Sequence, residues 1–170
     1  ATFVYSLLVG QVVLVPNART ARLSFILCDD PSQSTGISAL IEFLSYQAGE
    51  NQAINLLAEV ESSSGLFETL RRAGFSAYGI ETIWQLAVQH PGNEQQSFWS
   101  KSTKKDEVGM RSLYQSVTPP LEQGAEPYQA GNAKRFVYYE NNEINAWIQS
   151  TFGPLGIYLV PVIHPSFKNP

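Results

Sequence analysis

The chain opens with apolar runs that change character at a glycine. Residues 3–9 and 11–16 are rich in β-branched and aromatic side chains and flank Gly10, which predicts a hairpin that turns at this glycine. Residues 21–28 (ARLSFILC) continue the pattern and predict a third strand. Three strands are therefore expected before the first helix.

The next apolar pattern has helical spacing. Residues 36–49 repeat apolar side chains every three or four positions, as an amphipathic helix does, and Gly49 suits its C-terminal end. The apolar positions are Ile37, Leu40, Ile41 and Leu44. This pattern predicts the clearest helix of the chain.

Strands and helices alternate after this helix. Residues 54–60 (INLLAEV) and 76–86 predict strands. Between them, residues 65–73 predict a helix that Ser62–Ser64 cap and Gly74 ends. The order is typical of an α/β arrangement.

A polar segment, residues 89–105, follows and predicts a linker. Residues 106–121 then predict a helix, with Asp106 as its N-cap and Pro119–Pro120 as its end. The linker therefore separates the α/β region from a second segment that begins with a helix.

Three strands are predicted at the end of the sequence, at 136–140, 143–151 and 156–163. Asn141–Asn142 lies between the first two and favours a tight hairpin. The second segment is thus a helix followed by an antiparallel meander.

Residues 2–31 and 135–165 resemble each other. Both contain FVY near their start, continue through strand-forming residues and finish at a proline. The likeness favours an internal duplication, although strand-rich stretches also resemble each other by chance. Because the sequence starts at Ala1 without a methionine and stops soon after an apolar run, we expect it to be cut from a longer protein.

Composition narrows the class of function. A net charge of −4, from 11 basic and 15 acidic side chains, disfavours nucleic acid and anionic lipid as partners. One cysteine and two histidines provide few ligands, so no metal site is expected. The most apolar early stretch, residues 3–15, is too short to span a membrane. A cytoplasmic protein that binds small molecules or proteins fits best.

Residues 33–38 (QSTGIS) lie between a predicted strand and a predicted helix. Such a loop directs backbone N–H groups and the positive end of a helix dipole toward an anion. Gly36 permits a positive φ or a close backbone approach, and Ser38 is small enough to leave room for a pyrophosphate. An ordinary capped helix after a turn has the same pattern.

At this loop the sequence resembles the GNAT superfamily of acyl-CoA-dependent N-acyltransferases. Gln33 and Gly36 match the family's pyrophosphate pattern Gln/Arg-x-x-Gly-x-Gly/Ala, and Ser38 replaces its last small residue. Pro31 stands where the family's central strand often ends, and residues 56–86 resemble the following strand and a helix ending in Gly-Phe. The implied fold is α/β (α+β), with a mixed, mostly antiparallel sheet flanked by helices.

The resemblance implies an acyl-CoA site built largely from backbone. The strand end would pair with the pantetheine arm as an added strand, while the loop and the first helical turn would hold the diphosphate. The implied residues are Ile26, Leu27 and Cys28 for pantetheine and Gln33, Ser34, Thr35, Gly36, Ile37 and Ser38 for the diphosphate.

Acyl transfer also needs a base, because an ammonium group must lose a proton before it attacks a thioester. Glu59 and Glu61 alternate with Val60 on a predicted strand, so both face one side and are the catalytic candidates. A solvated or capping role is the alternative for each carboxylate. The tyrosine that the family commonly uses as general acid is replaced by Leu70.

The second segment resembles the opening half of another GNAT domain. Its last predicted strand runs through Val162 to His164-Pro165, as a strand does before a pyrophosphate loop, and Lys168 stands at the first position of that loop. His164 is either a base or, as is commoner before a proline at a strand end, a structural residue.

The sequence therefore predicts an acyl-CoA-dependent N-acyltransferase, with acetyl-CoA or another acyl-CoA as donor and a small-molecule amine or a peptide as acceptor. Residues 1–88 would be the later part of one domain and 106–170 the early part of a second, which would also be able to combine with 32–88 into one composite domain. Homo-oligomerisation is left open. The alternative is a non-catalytic GNAT-like module that senses acyl-CoA or contacts proteins.

Overall fold

The computed structural model describes residues 7–15, 19–28, 34–86, 98–131 and 133–167. These residues form a mixed α+β protein with four helices, one three-stranded sheet and one four-stranded sheet. The chain divides into two compact units, residues 1–78 and 79–170, and each sheet is built within one unit. The mixed α+β class is thus as predicted.

No helix within the described ranges is long and apolar enough to cross a membrane.

Unit 1 is a three-stranded sheet with two helices. Its central strand pairs antiparallel with the strand before it and parallel with the strand after it, and the longer helix makes the parallel connection. The elements are β1 (Leu8–Leu14), β2 (Thr20–Cys28), α1 (Ser34–Glu50), β3 (Asn55–Ala58) and α2 (Gly65–Arg72).

The ends of α2 are set by local side-chain and backbone chemistry. The Ser64 hydroxyl accepts the Leu66 backbone N–H at 3.2 Å, which satisfies one of the donors that a helix start leaves unpaired. Gly74 has φ of +95°, a conformation that glycine adopts at no steric cost, and it ends the helix. Both assignments agree with the sequence prediction.

Gly10 does not turn a hairpin, contrary to the sequence prediction. β1 runs straight through it, and Gly10 pairs with Ile26 of β2. A Cβ atom at Gly10 would lie 2.8 Å from Leu44 Cδ1 and 3.0 Å from Leu40 Cδ2. The missing side chain therefore lets α1 pack closely on the sheet, which explains a glycine inside a strand.

The end of α1 and the segment that follows α2 also differ from the prediction. α1 continues past Gly49 to Glu50, and the left-handed residue after the helix is Gln52, with φ of +66°. Residues 76–86 contain no strand, and Ile80 and Trp84 are 94% and 89% exposed. A strand needs a neighbour for its backbone hydrogen bonds, and none of the described strands pairs with this segment.

Unit 2 is a four-stranded antiparallel sheet, and two α-helices lie between its first and second strands in the sequence. The strand order β4-β5-β6-β7 follows the chain, and every neighbouring pair is antiparallel. The elements are β4 (Trp99–Lys101), α3 (Glu107–Val117), α4 (Pro120–Ala125), β5 (Lys134–Glu140), β6 (Glu143–Gly153) and β7 (Gly156–Ile163).

The predicted meander is confirmed in unit 2. Asn141 and Asn142 have φ of +51° and +68° and join β5 to β6 in the tight hairpin that the asparagine pair indicated. The single predicted helix 106–121 is divided, because α3 ends at Val117 and Pro120 begins α4. Pro is favoured at a first helical position, where its missing N–H has no partner to lose.

The predicted linker and repeat are only partly within the described residues. Residues 87–97 lie outside them, and the rest of the 89–105 segment contains β4. Within 2–31 the structure describes two strands, whereas 135–165 contributes three to the other sheet. The domain boundaries and the composite domain stay predictions.

The core of unit 2 is a cluster that joins α3 to the sheet. Met110 and Leu113 of α3 pack against Val137 and Trp147, and all four are buried. Trp147 also donates its indole N–H to the Met110 carbonyl at 3.1 Å, so its polar edge is satisfied.

A buried arginine borders this core. Arg135 is 4% exposed and donates to Gln149 Oε1 and to the Tyr128 hydroxyl, each at 3.2 Å. Its guanidinium lies 3.6 Å from Glu107 Oε1 and over the Tyr128 and Trp147 rings, at 5.2 and 5.5 Å from their centroids. The charge is thus both paired and hydrogen-bonded, as burial requires.

The Gly10 contact yields a stability prediction. Gly10→Ala adds a methyl group against Leu40 and Leu44 and is expected to lower the free energy of unfolding of unit 1 by about 1–3 kcal/mol. Native-state hydrogen exchange of β1 amides measures this change. Gly49→Ala is the matched control, because no atom lies within 4 Å of the added Cβ and the helix gains about 0.5–1 kcal/mol. Equal effects of the two substitutions would contradict the packing role.

Tyr128 yields a pH prediction. Burial, then its hydrogen bond to Glu107, raises the pKa of Tyr128 to about 12. A pKa raised by folding favours the native state below the unfolded value of about 10, and this advantage is lost as the pH rises through about 12. The stability difference between wild type and Tyr128→Phe should therefore shrink from pH 10 to pH 12, as measured by urea unfolding. A constant difference would refute this.

Candidate functional site

The strand and the helix of the predicted anion site are present in unit 1. Ile26, Leu27 and Cys28 are the last residues of β2, and α1 begins at Ser34. Gln33 and the rest of the loop lie outside the described residues. The first turn of α1 presents backbone N–H groups that have no partner inside the helix, together with the positive end of its dipole.

Gly36 does not form the glycine turn that the sequence predicted. It lies inside α1 and is helical, so it does not use a positive φ. Ile37 and Ser38 follow it and are half-buried. Ser34 and Thr35 supply backbone N–H groups in the first turn. Any anion held here would therefore be bound by a regular helix start and not by a glycine turn.

One edge of β2 is paired over only half its length. β3 pairs with β2 from Thr20 to Leu23, where Leu23 lies opposite Ala58. From Ser24 to Leu27 no strand of the described part of the chain takes the place of β3. β1 pairs with the opposite edge of β2 throughout, so this half of β2 is rigidly held and has one open edge.

A β-bulge coincides with the end of the β2–β3 pairing. Leu23 pairs with Val12 and Phe25 with Gln11, which leaves Ser24 as the extra residue of β2. A bulge bends its strand and increases the local twist, and bulges are frequent beside binding sites. The bulge at Ser24 thus explains why β2 and the chain after β3 separate beyond Leu23 and Ala58. We call the opening between them the fork.

Glu59, one of the two predicted catalytic carboxylates, lies at this fork. It directly follows β3 and forms an ion pair with Arg22 of β2, whose side chain is 39% exposed against 71% for Glu59. Glu61 lies two residues further, and its backbone carbonyl accepts the Ser64 N–H at 2.9 Å. The structure therefore brings Glu59 close to the open edge of β2 and leaves Glu61 at the entry to α2.

The general-acid position is filled by core packing. Leu70, where the family commonly has a tyrosine, is 3% exposed on α2. Cys28 is half-buried at the end of β2. A leucine side chain has no proton to donate, so residue 70 cannot take the role of the acid that the resemblance implies.

Sequence reasoning missed the open edge, the bulge and Arg22. The edge is made of backbone groups, which every residue carries, so no side-chain pattern marks it. The bulge depends on the register between two strands, and Arg22 became relevant only through its contact with Glu59.

Unit 2 contains a polar groove of about 960 Å³ between α3 and the β5–β6 hairpin. Tyr139 donates to Asp106 in it; burial opposes ionisation of Asp106, but this bond and those from Thr103 lower its pKa. His164 Nδ1 accepts the Ser166 N–H at 3.2 Å and lies 2.7 Å from Ser166 Oγ. His164 thus holds a turn, the structural role that the sequence favoured.

The described residues contain no group of three or more histidine, cysteine, aspartate or glutamate side chains placed to hold a metal ion.

Comparisons with known proteins give no relatives. No family model matches the chain, and neither the curated proteins nor the solved structures contain a match.

Glu59 is expected to be dispensable for folding. Exposed ion pairs contribute about 0–1 kcal/mol, and both partners here are partly solvated, so Glu59→Gln should change the free energy of unfolding by less than about 1 kcal/mol. Urea unfolding measures this. Arg22→Gln serves as the reciprocal control, and a loss well above 1 kcal/mol in either variant would show that the pair is structural.

Proposed function

We propose that unit 1 binds the coenzyme A part of an acyl-CoA and that the chain is part of a GNAT-type N-acyltransferase. The observation that carries this proposal is the open edge of β2 from Ser24 to Leu27, which leads to the start of α1. A long thin ligand with amide groups and an anionic end matches both features.

The pantetheine arm contains amide groups that can replace a strand. Added along Ser24–Leu27, they would exchange hydrogen bonds with the backbone of β2, as in strand addition to a sheet edge. The diphosphate would then lie at the first turn of α1, whose N–H groups and dipole favour a negative charge. Affinity would come mainly from backbone, with little demand on side-chain identity.

A thioester held at the fork would lie beside Glu59. The amine acceptor, a small-molecule amine or a peptide, would lose a proton to Glu59 directly or through water and attack the thioester carbon. The N–C bond forms and the C–S bond breaks. The nitrogen loses a second proton to solvent as it becomes an amide, and the thiolate takes one proton from solvent. Arg22 is bonded to Oε1 of Glu59, so Oε2 is the oxygen available for this step.

The alternative function is that of a module that binds acyl-CoA without catalysis. Two observations favour it: Leu70 is buried where the family's acid would lie, and Glu59 already has a cationic partner. The two functions share the binding step and differ only in turnover.

Binding of coenzyme A is the first test. Coenzyme A at 100 times its dissociation constant should stabilise unit 1 by about 2.7 kcal/mol, and amides of residues 24–27 should become protected from hydrogen exchange. Ser38→Asp places a negative charge near the start of α1 and should weaken binding at least tenfold. Ser64→Asp is the matched control, since it adds the same charge at α2 and retains a capping side chain. Absence of stabilisation in the wild type would exclude both functions.

Turnover on a panel of amines is the second test. Glu59→Gln should reduce kcat by about 10²–10⁴-fold and leave the coenzyme A dissociation constant unchanged, because general-base catalysis contributes on this scale. Glu61→Gln is the control for the loss of a nearby carboxylate. Binding without turnover in the wild type would select the non-catalytic module.

A further inference from the structure

The face of the unit 1 sheet opposite α1 carries an exposed apolar patch, formed by Val9, Phe25 and Leu27. Val9 pairs with Leu27 and Gln11 with Phe25, so these side chains share one face of the sheet. Their exposed fractions are 37%, 47% and 55% for Val9, Phe25 and Leu27. Large apolar side chains that lie together on a surface commonly mark a binding site.

The opposite face of the same strands is covered. Gly10 and Ile26 face α1, where Leu40 and Leu44 pack against the glycine. The sheet therefore has a helix on one face, while the patch on the other face is accessible within the described residues.

The patch is continuous with the open edge of β2. Phe25 directly follows the bulge at Ser24. Both Phe25 and Leu27 belong to the segment whose second edge has no neighbouring strand among the described residues. A group that leaves this edge toward the patch would contact Phe25 or Leu27 first and Val9 next. Beyond the bulge the same face carries the ion pair of Arg22 with Glu59.

We propose that the patch holds the acyl chain of the thioester and that the donor is a medium-chain acyl-CoA of about eight carbons. This inference rests on the proposed function. The chain would cross from the edge position over β2 to β1, two strand spacings or about 10 Å. An acetyl group is too short to leave the edge and would make no use of the patch.

The expected preference follows from the hydrophobic effect. Each fully buried methylene raises affinity about fourfold. An octanoyl chain on an open face is buried on one side only. Its gain in binding free energy over acetyl therefore equals that of about two to three fully buried methylene groups. Octanoyl-CoA should therefore bind at least tenfold more tightly than acetyl-CoA.

Isothermal titration calorimetry of the 170-residue chain with coenzyme A, acetyl-CoA and octanoyl-CoA tests the inference. Phe25→Ser and Leu27→Ser should each reduce the octanoyl-to-acetyl preference to less than about threefold. Because the preference is a ratio of two affinities, any change in binding of the shared coenzyme A part cancels. Both side chains are about half exposed, so the variants should fold. Val13→Ser is the matched control, because Val13 of β1 is also about half exposed, at 48%, but lies opposite Arg22 and not opposite Phe25 or Leu27.

The outcomes separate the inference from the function beneath it. Binding of coenzyme A with equal affinity for the two thioesters would overturn the inference and leave the proposed function intact. Loss of the preference in Val13→Ser as well would also overturn it, since the contact would then be unspecific. Absence of binding by all three ligands would overturn the proposed function and the inference together.

Discussion

β2 is paired on one edge along its whole length and on the other along half of it. Unit 1 depends on this arrangement. The parallel pairing with β3 from Thr20 to Leu23 fixes the position of α1, which must connect the two strands. The bulge at Ser24 then ends the pairing and opens the fork. The pairing of β2 with β3 therefore holds α1 in place. Where this pairing ends, the backbone of Ser24 to Leu27 faces the fork.

The close approach of α1 stabilises this arrangement from one face. Because Gly10 has no side chain, Leu40 and Leu44 reach the sheet directly, and the helix packs on one face. The other face keeps its apolar side chains exposed. Unit 2 differs from unit 1 in that a buried charge, the Arg135 guanidinium, borders its core. Arg135 is tolerated there because its partners satisfy both its charge and its N–H groups, and no buried side-chain nitrogen or oxygen in the described residues lacks a hydrogen bond.

A site made of backbone also explains why its sequence signal is weak. Strand addition requires N–H and C=O groups at an edge, and a helix start requires only its first turn, so most residue types fit both. Side chains enter the proposed chemistry at two places, the Glu59 carboxylate at the fork and the patch beside it. In the proposed site, Phe25 and Leu27 would select the acyl chain and the backbone would recognise coenzyme A.

The sequence by itself determined the features that depend on neighbouring residues. Ser64 and Gly74 mark the ends of α2, and Asn141–Asn142 makes the hairpin, because a cap or a turn is satisfied within a few residues. The sequence also predicted the strand before the candidate anion site and the helix after it.

Tertiary structure decided the features that depend on a distant partner. Gly10 lies inside a strand and not at a turn because it pairs with Ile26 and lies under α1. Residues 76–86 are not a strand because no described strand pairs with them. The fork at Ser24 arises from the registers of β2 with two other strands. Such contacts join residues far apart in sequence, so a local pattern of apolar and polar positions carries no record of them.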